Sequence, residues 1–403
     1  MCRSARTPTG RVPDLPDACT CSALDRSAHR ARPTRGRSPS PHHPHRAAGR
    51  PHSGEVAMVA MRVDSPAPRG EWRDIIARDA EALPEHAPEW VDALCEGHEF
   101  ADASRLYEFS DGRRFVLPLV RRRGPAGVGG WLTSYPIARG MGGLIGNDLD
   151  AGVVSSVVAD LRQSGATRVW IRPNPLTANQ WTSSRGTGVT AIARRAHVID
   201  LAGGPDAVLT RMHRSTRRGL RVAERSGVRI EIDRTGRLLP VHYELFNASV
   251  ERWARHQHEP LVLARWRAQR RDPLRRMQCI ARHMGDAFVV LVAFVDDTPA
   301  ASGITLLGQT AHDIRAAMDR DIAGPSRANE LLQWHAVRLA CERGCARHHL
   351  GESGNSVGLS QFKERFGAAA VPYAEYRIER LPYTPLDLAL RGMVKRVLGF
   401  HDS

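Results

Sequence analysis

Between Asp286 and Leu381 the chain alternates its periodicities in an order that few folds accommodate. Three short apolar runs follow one another closely: Ala287 to Val295, Ala300 to Leu307 and His312 to Ala317. Asp296-Asp297 supplies a turn between the first two. Runs of this length, bounded by turn residues, read as strands. A helical pattern from about Arg327 to Arg343 comes next, closed by Gly344, a residue suited to a helix C-terminus. A short strand at His348 to Leu350, a helix through Phe362 and a final strand at Ala374 to Leu381 complete the segment. This predicts an α/β fold of the mixed-sheet, α+β kind.

Upstream, the same reading places a helix at Glu89 to Leu94 and a hairpin from Leu106 to Phe109 and Arg114 to Val120, turning at Asp111-Gly112. A helix at Asp150 to Ser164 and strands at Arg168 to Arg172 and Ala196 to Leu201 follow. The second half opens with a helix over about Asp206 to Ser226, a strand at Val228 to Ile232, and helices at about Leu238 to His256 and Leu261 to His283. With 403 residues there is room for two domains. The expected units are a tail over 1–61, an N-terminal domain over 62–202, a second domain over 203–382 and a C-terminal helix over 383–403.

The tail is rich in Arg, Pro, Ser and His and cannot bury enough apolar surface to offset ordering entropy. It has no apolar core of a secretory signal. It is expected to be disordered, or to reflect an over-long start, since Met58 and Met61 stand where the globular pattern begins. It holds six of the fifteen net positive charges. The remainder favours anionic ligands without proving a nucleic-acid partner. Only Lys363 and Lys395 are lysines; every other basic side chain bar histidine is Arg. The seven cysteines are odd in number and scattered, which predicts reduced thiols in a cytoplasmic protein, Cys341 and Cys345 included. No metal site is expected, the His42, His43, His45 cluster being at most a weak binder. No apolar run is long enough to span a bilayer.

Arg217-Arg218-Gly219-Leu220-Arg221-Val222-Ala223-Glu224 with Gly227-Val228, then Ala316-Ala317-Met318-Asp319, then Asn329-Glu330-Leu331-Leu332-Gln333-Trp334-His335-Ala336, then Leu350-Gly351 and Phe362-Lys363 with Phe366-Gly367, form an ordered string. Together they resemble the GNAT-type acyltransferases, and more narrowly the Fem-like branch with two tandem GNAT-like domains, which includes peptidoglycan bridge aminoacyltransferases. Pro136, Gly142-Gly143-Leu144 and the Val198 to Leu201 strand resemble that branch's N-terminal marks. The resemblance covers about residues 85 to 382. It implies two tandem GNAT-like domains, an acyl-CoA or aminoacyl-tRNA co-substrate, and an amine acceptor such as a lipid-linked cell-wall precursor. One departure stands out. The CoA-binding loop, Gln/Arg-x-x-Gly-x-Gly/Ala, is absent: Arg320 to Pro325 keeps one basic residue and one glycine. No tightly bound cofactor is therefore expected.

Acyl transfer needs a polarised carbonyl and a neutral amine. The N-terminus of the 327–343 helix, flanked by Arg320 and Arg327, favours a donor phosphate, with Asn329 in its first turn; a plain strand–helix turn is the alternative. Lys363 offers a point charge for a substrate phosphate or carboxylate, or else pairs with Glu364. Asp319 and Glu352 are candidate proton acceptors, as is Glu375, and Tyr373 and Tyr376 candidate donors or positioners; each also has a purely structural reading. Arg217 and Arg221 belong to a basic helix face suited to phosphates of a tRNA, or simply to solvent. The basic amphipathic segment Pro385 to Phe400 suits peripheral contact with the inner membrane face, or packing on its own domain. The competing reading is a non-catalytic nucleic-acid-binding or scaffold protein on the same fold.

Overall fold

The computed structural model describes residues 60–381, apart from 97–98, 123–129, 137–139, 185–187, 355 and 380, together with 384, 386, 389 and 393. Nearly all of the expected tail and of the expected C-terminal helix lies outside the described residues. In chain order the first half runs β1 (Met61–Asp64), α1 (Arg69–Arg78), α2 (Pro88–Glu96), β2 (Ala101–Asp102), β3 (Arg105–Phe109), β4 (Arg114–Leu117), β5 (Val120–Arg122), β6 (Trp131–Thr133), α3 (Ala151–Gln163), β7 (Arg168–Ile171) and β8 (Val189–Asp200). The second half begins with α4 (Gly204–Arg211), α5 (Arg214–Arg225), β9 (Arg229–Asp233), α6 (Leu239–His256), α7 (Leu261–Arg271) and α8 (Leu274–Met284). It continues with β10 (Phe288–Val295), β11 (Thr298–Leu307), β12 (Ala311–Met318), α9 (Arg320–Ser326), α10 (Ala328–Glu342), β13 (Arg347–Glu352), α11 (Val357–Arg365) and β14 (Ala369–Glu379).

β1, β3 and β4 form a small sheet, and eleven strands form one large sheet in the order β2-β5-β6-β7-β14-β8-β13-β12-β11-β10-β9. The α/β mixed-sheet expectation holds. β10 shows why the sheet sits where it does. Val290 and Val292 enter a core with α2, α6 and α8, while Val289, Leu291 and Ala293 enter a core with α5 and α10. A strand apolar on both faces must be covered on both. Each fully buried Val or Leu contributes roughly 1.5–3 kcal/mol. A third core joins α3 to β7 and β14.

Several expected elements are redrawn. The single helix over 206–226 is two, α4 and α5, because His213 turns out of the helix: its ring accepts from Ser215 N at 3.2 Å and its N–H donates to Arg365 O at 2.8 Å. The 261–283 helix is likewise α7 and α8, broken at Asp272-Pro273, since proline lacks the N–H that a helix interior needs. The hairpin stops at Leu117, and Val120 pairs in the large sheet instead. α9 fills what was read as a loop. β8 and β14 are each longer than read, and they pair with each other from Val189↔Ile378 to Val198↔Ala369. The last strand thus lies between two strands of the first half, and the sheet is continuous across the boundary expected at 202/203.

Candidate active site

β12 and β13 run parallel but pair only at Ala311↔His348 and His312↔His349. Beyond these positions they part, β12 continuing to Met318 and β13 to Glu352. Backbone groups that face such a gap can pair with an extended amide-bearing ligand. β12 also carries a bulge. Thr305 faces Asp313 and Ile304 faces Arg315, so Ile314 has no partner across β11. The extra residue resets the alternation of side chains and puts His312 and Arg315 on one face of the sheet. A cleft opens on that face, with apolar walls from Trp90 of α2, Met141, Phe246 and Trp253 of α6, and Met277 and Ile280 of α8.

His312 stands in this cleft on a buried acid. Its Nδ1 donates to Glu85 Oε1 at 2.7 Å, and Met141 N donates to the same oxygen at 3.0 Å. Burial alone pushes the Glu85 carboxyl up, but the imidazole beside it more than reverses this and holds it at about 2. An ionised carboxylate only accepts hydrogen bonds, so Nδ1 carries the proton and Nε2 is left for another partner. Nε2 lies on the Gly351 side of the cleft, where a side chain on that glycine would come within 3.9 Å of it. Gly351 has φ +70°, a conformation that suits glycine. His349 contacts the His312 ring edge-on at 5.9 Å between centroids. Burial pushes His349 down to about 3, so it is neutral.

Glu352 closes the same cleft. Its Oε2 accepts from Arg172 Nη2 at 2.5 Å and its Oε1 from the Tyr373 hydroxyl. Burial pushes the Glu352 carboxyl up, but Arg172 and Arg194 outweigh burial and keep it below the usual range. Burial pushes the Tyr373 phenol well up, so the ring hydroxyl donates and does not ionise. At the other end, Asp272 accepts from Arg315 Nη2 at 2.7 Å and from Arg271 Nε at 2.6 Å.

Of the residues singled out from sequence, the structure brings Glu352, Tyr373 and Lys363 together. Lys363 is not an exposed helix charge paired with Glu364. It is 3% exposed, and its Nζ donates to Glu352 O at 2.7 Å. Tyr376 is on the opposite sheet face from Tyr373, buried in the α3 core against Trp181 at 5.8 Å between centroids. Asp319 caps α9, accepting from Asp321 N at 2.9 Å and Ile322 N at 3.4 Å. Those N–H groups would otherwise face a phosphate, so the start of α9 fits a pyrophosphate poorly. Arg327 sits in a left-handed conformation between α9 and α10 and donates to Glu330 Oε1 at 3.1 Å. Asn329 is half-buried in the first turn of α10. Arg217 is half-buried and Arg221 exposed on α5, whose Gly219 lies 3.7 Å from Glu330 as measured from an added Cβ. Arg320 borders a separate groove with Arg252, Arg255 and His256 of α6. Glu375 accepts from Arg194 and Arg377, both at 3.0 Å.

Sequence reasoning missed Glu85, Arg172 and His312. One signal was available. His312-Asp313 and His348-His349 place consecutive titratable residues inside strands otherwise built of apolar ones, and buried polar groups there need partners. Asp313 meets that need by accepting from Thr305 Oγ1 and Gln333 Nε2, both at 2.7 Å, with His348 Nε2 at 2.8 Å.

Residues 210–364 match the family described as the acetyltransferase (GNAT) domain. Among solved structures, FemX aligns at 13% identity with a TM-score of 0.54, covering 81% of this chain and 99% of that one. The C-terminal domain of a putative lysylphosphatidylglycerol synthetase from Agrobacterium fabrum aligns at 16% identity and a TM-score of 0.45, covering 82% and 96%. A tandem GNAT protein from the clavulanic acid biosynthesis pathway aligns at 12% and 0.40, covering 80% and 99%. No curated protein matches. Residues 210–364 thus match a GNAT domain, and the chain as a whole has the fold of FemX, so the Fem-like resemblance holds at the level of fold. Among the described residues no helix is long and apolar enough to cross a membrane.

Proposed function

We propose that this protein is an N-acyltransferase in which His312 is the general base. The observation that carries the reading is the Glu85–His312 pair, aimed into a cleft at the place where β12 and β13 part. A carboxylate on Nδ1 fixes the tautomer and stabilises the imidazolium that forms when Nε2 takes a proton. An acceptor amine in the cleft loses its proton to Nε2 and attacks the donor carbonyl. A C–N bond forms, the carbonyl carbon's bond to the donor thiol or ribose oxygen breaks, and the imidazolium proton goes to the leaving group. Glu352, held ionised between Arg172 and Tyr373, orients the amine. Lys363 fixes the backbone at Glu352 from the other face of the sheet and supplies positive charge there.

The donor is an acyl-CoA or an aminoacyl-tRNA. Asp319 caps the start of α9, whereas the start of α10 has no side-chain cap, so that helix start together with Arg217, Arg221, Arg320 and Arg327 is assigned to the donor's phosphates, with Asn329 beside them. The acceptor is an amine, in the Fem-like reading one on a lipid-linked cell-wall precursor, which suits a cytoplasmic protein that visits the inner membrane face.

The test is to incubate the full chain with labelled acetyl-CoA and, separately, with charged tRNA across a panel of amines. One donor is expected to be consumed with transfer of label, and His312→Gln is expected to lower kcat by roughly 10²–10⁴-fold. If neither donor is consumed or bound, the proposal fails. Salt-sensitive RNA binding without turnover would favour the non-catalytic binding reading.

A further inference from the structure

Cys279 and His283 stand four residues apart on α8, a spacing that puts two side chains on one helical face. They meet Glu96, the last residue of α2. The thiol sulfur, an imidazole nitrogen and a carboxylate oxygen all lie within 4.8 Å of one another. Tetrahedral zinc, with bonds of about 2.3 Å to sulfur and about 2.0–2.1 Å to nitrogen or oxygen, sets neighbouring donors roughly 3.3–3.6 Å apart. The three donors bracket that spacing, from 2.6 Å between His283 Nε2 and Glu96 Oε2 to no more than 4.8 Å for any pair. His283 Nε2 now lies 2.6 Å from Glu96 Oε2, while Arg282 Nη2 holds Glu96 Oε1 at 2.9 Å. The Cys279 thiol donates to Ala93 O at 3.6 Å.

We propose that Glu96, Cys279 and His283 form a site for one zinc ion, with water as the fourth ligand. The donor set makes the choice of metal. Magnesium and calcium take oxygen ligands, whereas one sulfur, one nitrogen and one oxygen suit a borderline-soft cation. Binding replaces the Cys279 S–H with an S–Zn bond and releases that proton to solvent. Arg282 stays on the free carboxylate oxygen and orients Glu96 toward the metal. The site lies outside the cleft, but the two helices it joins are cleft walls: Trp90 is on α2, and Met277 and Ile280 are on α8. A bound ion therefore pins one wall to the other. The inference does not depend on which reaction the cleft performs.

The experiment uses full-length protein stripped of metal and titrated with Co²⁺, followed by Zn²⁺ displacement. One equivalent of cobalt is expected to give a sulfur-to-cobalt charge-transfer band together with the visible bands of a tetrahedral ion, and zinc to abolish both. Cys279→Ser is expected to remove the charge-transfer band. His283→Gln and Glu96→Gln are expected to weaken binding at least about tenfold, since even outer partners of metal ligands cost 10–100-fold. Histidines elsewhere in the chain bind without a sulfur band, and a Cys341→Ser, Cys345→Ser double variant is expected to leave the band intact. No band at one equivalent, or a band unchanged in Cys279→Ser, overturns the proposal. If Cys279→Ser does not fold by circular dichroism, His283→Gln decides: an unchanged affinity there also overturns it.

Discussion

Asp319 lies at the end of β12, where a catalytic acid is easily imagined, yet its side chain is committed to the backbone of α9. Asp319→Ala is expected to cost about 1 kcal/mol, the usual loss on removing an N-cap. Urea unfolding would show this, with kcat of the folded enzyme unchanged. A large fall in kcat at unaltered stability would restore the catalytic reading. Lys363 teaches the opposite lesson. Its rarity in an Arg-dominated chain was visible in the sequence, and its burial gives it a role, since a compact ammonium donates to Glu352 O inside the packed interior. What the residue string could not display is pairing across distance. Arg172 and Glu352 are 180 positions apart, and nothing local to either marks the other. Glu85 is hidden for the same reason, since its partner His312 arrives 227 positions later.

At the scale of elements, the three strands β10 to β12 and the helix α10 were legible because apolar periodicity and turn residues agree there. Breaks within helices were not, even though Pro273 stood in plain view inside the α7–α8 pattern. The break has a consequence of its own. It delivers Asp272 to Arg315 and Arg271, and Asp272 is buried. Burial pushes that carboxyl up, but the two guanidinium groups outweigh it and hold it below its ordinary value. Removing one partner of a buried pair leaves an uncompensated charge. Asp272→Ala is therefore expected to cost about 3–5 kcal/mol, and adding Arg315→Met to recover much of that loss. Equilibrium denaturation of the two single variants and the double variant checks this. Additive losses would sink the idea. Only the apolar end of β8 was legible, because Thr190-Ala191-Ile192-Ala193-Arg194-Arg195 shows no two-residue alternation and Arg194 finds its partner Glu375 only on β14.

Across the whole molecule, β14 closes the sheet between β7 and β8, so the two halves share one polar layer as well as one sheet. Three histidines buried in separate places make that assembly sensitive to acid. Burial pushes His242, whose Nδ1 meets Ser302 Oγ at 2.9 Å, down to about 3, and nearby Arg315 adds to the shift while Asp272 opposes it. Burial also lowers His349 to about 3, with His312 and His348 adding and Glu85 opposing. His197 falls to about 4 through burial and Lys363, against Glu364. All three folded values lie below the roughly 6.5 of an unfolded histidine. Below that pH the unfolded chain binds protons that the folded chain refuses. The stabilisation is thus fully present above about pH 6.5 and is lost as pH falls toward the folded values, at up to about 1.4 kcal/mol per pH unit for each histidine. Glu85 and Glu352, also lowered, add to the loss only once pH drops below the ordinary range for glutamate near 4.3. Urea midpoints are therefore expected to fall steadily between about pH 6.5 and 5, before the lowered carboxyls of Glu85 and Glu352 contribute. His242→Gln, which keeps a polar partner for Ser302, is expected to flatten that slope. A wild-type midpoint that stays level across this interval would show that these imidazoles accept protons without opening the fold.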